Sequence, residues 1–213
     1  MAVSATPQVA SRTASTRDRA LTAARAAVLD GGATRTTMVE IARRSGVGRT
    51  SLYRNWPDLT ALFADLLTRE LTAVVARVDP ALLDPAVAGP ALPGSAPRDA
   101  DGVARLLCTL ADEVRADPLV DALRRHEPAL IAEYLLHRLG TSQRRLIGLL
   151  RDLLARAIDA DPRLAGRDPG RTATMLFLAV QGLVLSAPLA DPPLDPDAWR
   201  TELHLLIKGY LGI

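Results

Sequence analysis

The chain has 213 residues, 48% of them hydrophobic and 23% charged, with a formal net charge of +2. That is enough chain and enough apolar mass for one large globular domain or two small ones. A single cysteine, Cys108, excludes an internal disulfide, and the first residues lack the basic start and apolar stretch of a secretory signal, so a cytoplasmic location is expected.

The charge is unevenly spread. Residues 1 to 58 carry nine arginines against four acids (Asp18, Asp30, Glu40, Asp58), a surplus of five, and the remainder is therefore negative by three. A basic end on a nearly neutral chain is the electrostatic footprint of a polyanion-binding module. Lys208 is the only lysine.

Met1 to Ser15 is rich in Ala, Ser and Thr without apolar periodicity and reads as a mobile N-terminal arm (residues 1–15). Leu21, Ala24, Val28 and Leu29 then recur at helical spacing behind a Ser15 or Thr16 cap, and Gly31-Gly32 ends that first helix, near residues 17 to 30. Thr37 followed by Glu40 is a capping-box pattern opening a short second helix, which Ser45-Gly46 closes. A third short helix spans Arg49 to Asn55, and Pro57-Asp58 separates it from a fourth that reaches about Val78.

Five prolines between Asp79 and Asp101 mark a loop. Helices follow near Gly102 to Ala116, Pro118 to Arg125 and Pro128 to Asp159, the last with a kink expected at Gly140-Thr141. Pro169 to Ser186 is apolar nearly all round. The longest apolar run of the chain, Met175 to Leu189, is broken by Gln181, Ser186 and Pro188, so it reads as a buried helix short of the roughly 20 apolar residues of a membrane span. From Asp197, Trp199, Leu203, Leu206, Ile207 and Tyr210 form one stripe. The expected fold is all-α.

Thr36 to Trp56 has the form of a helix-turn-helix: two short helices with a small residue in the turn, so that the second can enter a major groove while the first braces it. Ile41, Ala42, Val47, Leu52 and Trp56 can share a core with Leu21 and Val28, which leaves Arg43, Arg44, Arg49, Ser51, Arg54 and Asn55 outward. Arg43 and Arg44 serve equally well as solvating charges or, for Arg44, as a DNA contact.

The residues Thr36-Thr37-Met38-Val39-Glu40-Ile41-Ala42, Ser45-Gly46-Val47, Ser51-Leu52-Tyr53, Trp56 and Leu62 resemble the N-terminal pattern of the TetR family over about 45 residues. Weaker likeness appears at Glu127-Pro128, Tyr134, Arg138-Leu139-Gly140 and Ser142-Gln143-Arg144. The resemblance implies an N-terminal DNA-binding domain (16–60) and a C-terminal regulatory and dimerisation domain (61–213). It implies that Thr37 and Tyr53 donate to phosphates, that Arg49, Thr50 and Ser51 reach base edges, and that Arg54 and Asn55 contact base or phosphate at the far end. Three positions depart from the pattern: Gly48 replaces a Ser cap, Thr50 replaces a Gly or Pro, and Leu59 replaces a phosphate-binding Lys, for which Arg12, Arg17 and Arg19 could compensate.

The implied partners are a double-stranded operator in the form of an inverted repeat, a second copy of the chain held through the last two helices, and a small, mainly apolar effector. Met175 to Leu185 exposes apolar residues on every side, more than one core requires, which independently favours a four-helix bundle between two chains. With few aromatics in the second half, the effector pocket is expected to be aliphatic, with Tyr134, His137, Phe177 and Gln181 as candidate contacts. His137 also fits a surface position, and Gln181 a dimer-interface position. Cys108 reads as a small buried hydrophobe. No metal site, cofactor or enzymatic activity is expected, since the chain has no phosphate loop, nucleophile elbow or His/Cys ligand spacing. The expected function is a ligand-released repressor; the alternative is a constitutive DNA-binding protein without an effector.

Overall fold

The computed structural model describes residues 7–83, 99–129, 131–132 and 140–213. Among these residues every regular element is helical: α1 (Pro7–Gly31), α2 (Met38–Ser45), α3 (Arg49–Asn55), α4 (Leu59–Val78), α5 (Ala100–Ala116), α6 (Pro118–His126), α7 (Thr141–Ala160), α8 (Pro169–Ser186) and α9 (Pro196–Leu211), with single 3-10 turns between some of them. The all-α expectation holds. Most of the expected Pro-rich loop, at 84–98, lies outside the described residues.

Several boundaries differ from those read in the sequence, for identifiable reasons. Helix α1 starts at Pro7 rather than near residue 17. Proline suits a first helical position, because its fixed φ is helical and its missing N–H would have no partner there. Thr16 is therefore an interior residue and not a cap. The long helix expected from Pro128 to Asp159 is interrupted at Gly140, whose backbone is extended (φ −69°, ψ 175°) and whose N–H donates to Gln143 Oε1 at 2.6 Å.

Two compact units result. The first comprises Met1–Arg69 and Pro118–Leu136, the second Glu70–Asp117 and His137–Ile213. In the first, Leu21, Val28, Ile41, Leu52, Leu62 and Leu66 are buried, together with Leu119 and Leu123 of α6. In the second, α5 lies against α7, α8 and α9, and α7 pairs extensively with α8. Leu107, Leu153, Leu176, Trp199 and Ile207 belong to its core.

A charged knot ties three helices of this second unit. Asp161, at the end of α7, is buried and accepts from the Ala100 N–H at the start of α5 (3.2 Å) and from Arg163 Nε and Nη2 (3.0 and 2.8 Å). Arg163 also reaches Asp101 (2.9 Å), which is paired with Lys208 of α9 at 2.9 Å. The adjacent Arg163 guanidinium, helped by the two backbone N–H donors of Ala100 and Arg163, holds the Asp161 carboxyl far below the ordinary carboxylate range.

The last two helices are less covered than expected. Pro169–Leu189 is long and apolar enough to cross a membrane by composition, contrary to the sequence reading, yet only 22% of it is buried. Thr172, Ala173, Leu176 and Val184 face inward, whereas Met175 and Leu178 are exposed. The single stripe expected on α9 divides in two: Trp199, Leu203, Ile207 and Leu211 enter the core, while Leu205, Leu206 and Tyr210 remain exposed.

Two outcomes follow from these local structures. Asp161 has its folded pKa below its unfolded one, so its contribution is fully present above about pH 4 and is lost as pH falls toward the folded value. Asp161→Asn is expected to lower the urea midpoint at pH 7 and to flatten the loss of stability between pH 4 and 2; an acid limb as steep as in the parent chain would show that Asp161 does not drive it. At α3, the cap residue Gly48 (φ −59°, ψ 141°) has no side-chain cap, and a Cβ there would touch nothing within 4 Å. Gly48→Ser supplies an acceptor for the first turn and restricts the unfolded chain, and should stabilise the first unit by about 0.5–1 kcal/mol in a denaturant titration.

Candidate nucleic-acid interface

The turn between α2 and α3 is set by Gly46, which ends α2 at φ 64°, ψ 17°, a left-handed conformation that a side chain would strain. Val47 then plugs into the core, and Ser45 Oγ accepts from the Val47 N–H at 3.2 Å. Helix α3 is fixed at its far end by Trp56, which is buried and donates from Nε1 to Asp65 Oδ2 of α4 at 3.0 Å. Arg17 of α1 completes this clamp by pairing with Asp65 at 2.7 Å and lying over the Trp56 ring at 5.3 Å. Arg17 is thus engaged within this unit by Asp65 and Trp56.

At about 100° per residue, burying Leu52 and Trp56 turns Thr50 and Arg54 directly outward and leaves Arg49 and Tyr53 on one flank. Arg49, Thr50, Tyr53 and Arg54 are exposed, while Ser51 and Asn55 are half-buried. Asn55 donates from Nδ2 to the Ser51 carbonyl at 2.7 Å, which commits one of its two amide N–H groups to its own helix. Neither Arg49 nor Arg54 has an ion-pair partner among the described residues. The face that α3 presents therefore combines two uncommitted guanidinium groups with two hydroxyls, those of Thr50 and Tyr53.

Helix α2 supplies the second part. Thr37 is its N-cap, and its Oγ1 accepts from the Glu40 N–H at 3.2 Å while the exposed hydroxyl proton stays available to an outside acceptor. Only this half of the expected capping box is made. The Glu40 carboxylate turns instead to Arg43 (2.9 and 2.7 Å) and Arg44 (2.7 Å), and Arg44 also reaches Asp30 at 2.6 Å. Of the expected DNA-facing residues, Arg44 is accordingly the one whose guanidinium is already occupied. Asp30, Glu40 and Asp65 were not singled out as partners in the sequence; only the spacing of Glu40 to Arg43 and Arg44 on one helix carried a readable signal.

The effector candidates are placed less completely. Tyr134 and His137 lie outside the described residues. Phe177 is half-buried against the core of the second unit, and Gln181 accepts from Gln143 Nε2 at 2.8 Å, linking α8 to α7. Cys108 is buried, and desolvation, helped by the nearby Asp112 charge, pushes its thiol up to about 11, so it stays protonated at neutral pH.

Comparison with known proteins agrees with this geometry. Residues 20–66 match the model for bacterial regulatory proteins of the tetR family. A relative from Mycobacterium bovis, named as an uncharacterized HTH-type transcriptional regulator, is 36% identical over 201 residues, covering 93% of this chain and 95% of the relative. The transcriptional repressor QsdR of R. erythropolis shares the fold with a TM-score of 0.66 at 20% identity, over 93% of this chain and 95% of QsdR. RolR, solved in complex with resorcinol, aligns with a TM-score of 0.63 at 17% identity, over 95% of this chain and 94% of RolR. The family match across the two helices that carry the exposed arginines, and a full-length regulator as a relative, lead to one conclusion: the chain belongs to the TetR family of transcriptional regulators and is not an enzyme.

Proposed function

We propose that the chain is a homodimeric cytoplasmic repressor that binds an inverted-repeat operator through α3 and is released by a small, mainly apolar effector in its C-terminal half. The observation that carries this reading is the α3 surface, where Arg49 and Arg54 are exposed and unpaired among the described residues on a helix clamped at both ends. Thr37 and Tyr53 set the register on phosphates, while Arg49, Thr50 and Ser51 read base edges. Arg54 and Asn55 act at the far end. Asn55, with one amide N–H committed to Ser51, keeps its second N–H and its oxygen for DNA.

The dimer forms through the uncovered faces of α8 and α9, which expose Met175, Leu178, Leu205 and Leu206. Two recognition helices then stand roughly 34–36 Å apart, or further, in successive major grooves. Phe177 and Gln181 of the second unit are the effector contacts we favour, in an aliphatic setting, while Tyr134 and His137 lie outside the described residues; RolR, which shares the fold, is solved with resorcinol. Release requires the effector to bind the non-DNA state more tightly, by about 2.7 kcal/mol for a hundredfold change in operator affinity.

Fluorescence anisotropy on the intergenic DNA beside the protein's own gene, at two salt concentrations, tests the DNA-binding reading. Arg49→Ala should lose about 1–3 kcal/mol of discrimination against random DNA, as expected for a bidentate guanine contact. Equal affinity of the parent chain for operator and random duplex would remove the basis for it. The dimer is tested separately by sedimentation equilibrium. Leu178→Glu and Leu206→Glu should each weaken association by about 100-fold or more, as buried central contacts do; unchanged dimers would place the interface elsewhere.

A further inference from the structure

The arginine count of the DNA-binding unit overstates the charge that its bracing helix offers to DNA. Glu40 lies one turn before both Arg43 and Arg44, and its two oxygens accept three N–H bonds from them, at 2.9, 2.7 and 2.7 Å. Asp30, at the end of α1, takes the other side of Arg44 at 2.6 Å. Burial does not force the Arg43 pairing, because that side chain is 70% exposed, and the side chains of Glu40 and Arg44 are only half-buried. Exposed ion pairs of this kind contribute little to stability, so holding the fold together is a weak reason for so complete a clamp. Hydrogen bonds from Arg43 and then Arg44 hold the Glu40 carboxyl down to about 2, so it remains ionised at any physiological pH.

We infer that Glu40, with Asp30 behind it, is an internal stand-in for DNA phosphate that keeps Arg43 and Arg44 from adding sequence-independent contacts. The inference rests on the reading of α2 and α3 as the DNA-binding unit. Sequence-independent affinity is set by the number of phosphates that a protein neutralises, each adding about 0.9 to the slope of log K against log salt. Eight residues of α2 span about 12 Å, so the clamped arginines share one short element with the Thr37 cap. A phosphate near that helix meets two guanidinium groups whose charge Glu40 and Asp30 already balance, and it has to compete with those carboxylates for them. The net positive charge facing DNA then rests on α3, where Arg49 and Arg54 can reach bases, and the ratio of operator to random binding rises. Glu40 is in this sense a positioning residue that sets specificity without touching DNA.

The test uses the full-length protein, a random-sequence duplex and anisotropy across a salt series. Glu40→Gln should tighten random-duplex binding about five- to tenfold near 0.1 M salt and steepen the slope by about one to two. Asp30→Asn, which frees Arg44 on one side only, should produce a smaller change in the same direction and serves if Glu40→Gln is poorly folded by circular dichroism. Arg43→Gln alone should leave the slope nearly unchanged. In a chain carrying Arg43→Gln and Arg44→Gln together, Glu40→Gln should have little further effect. The inference is overturned if folded Glu40→Gln binds and titrates with salt like the parent, or if its effect persists undiminished without the two arginines, which would mark a general charge effect. Absence of duplex binding by the parent chain would overturn the DNA-binding reading itself, and this inference with it.

Discussion

The hydrogen bond from Trp56 Nε1 to Asp65 decides where α3 points. A helix of seven residues is too short to hold itself, since helix formation in isolation needs about 12–15 residues even in favourable sequences. Its direction must come from its ends. At the front, Gly46 turns the chain and Val47 anchors it; at the back, the buried indole spends its one donor on a carboxylate of α4 that Arg17 of α1 also holds. Three helices therefore meet at Trp56. With Leu52 and Trp56 inward, the outward positions follow from helical geometry alone, and the recognition surface is a consequence of that burial.

Charge on this unit is arranged by the same economy. Arg17 answers Asp65, Arg43 and Arg44 answer Glu40 and Asp30, and Arg35 donates from Nε to the Gly31 carbonyl at 2.7 Å. The arginines of α3 have no such partner among the described residues. A count of basic residues therefore locates the module, whereas the pairing pattern shows which of its helices carries usable charge. Leu59, where a phosphate-binding Lys is common in the family, fits this distribution: Asp58 caps α4 by accepting from the Ala61 N–H at 2.7 Å, and no cation is added there.

How much of this was legible in the sequence depends on the range of the interaction. Leu52, Ile41 and Val47 could be placed in the core because helical spacing over a few residues determines it. The limits of α3 and α8 could be read because Gly48, Trp56, Asp168 and Pro169 act within one turn. The ion pair that engages Arg44 is not legible in the sequence, since its partner Asp30 is 14 residues away on another helix. The sequence offers Arg17 as a spare cation that could replace a lysine at position 59 for the same reason, its partner Asp65 lying on α4. The α9 stripe was read as one face because Leu203, Leu206, Ile207 and Tyr210 are all apolar, and only a neighbouring helix can say which of them it covers.

That divided stripe bears on what completes the second unit. Helix α9 turns Leu205 and Leu206 away from the core, where with Leu189 and Leu194 they edge a groove of about 730 Å³. Burying a leucine completely is worth roughly 1.5–3 kcal/mol, so finishing the half-covered ones returns about 1 kcal/mol each, counted twice in a symmetric pair. Association costs about 4–15 kcal/mol in lost freedom before any net affinity appears. Leu178 and Met175 of α8 alone would fall at the bottom of that range. For the proposed dimer, a stable pair therefore needs both helices and the groove together, and neither helix by itself would suffice as the interface.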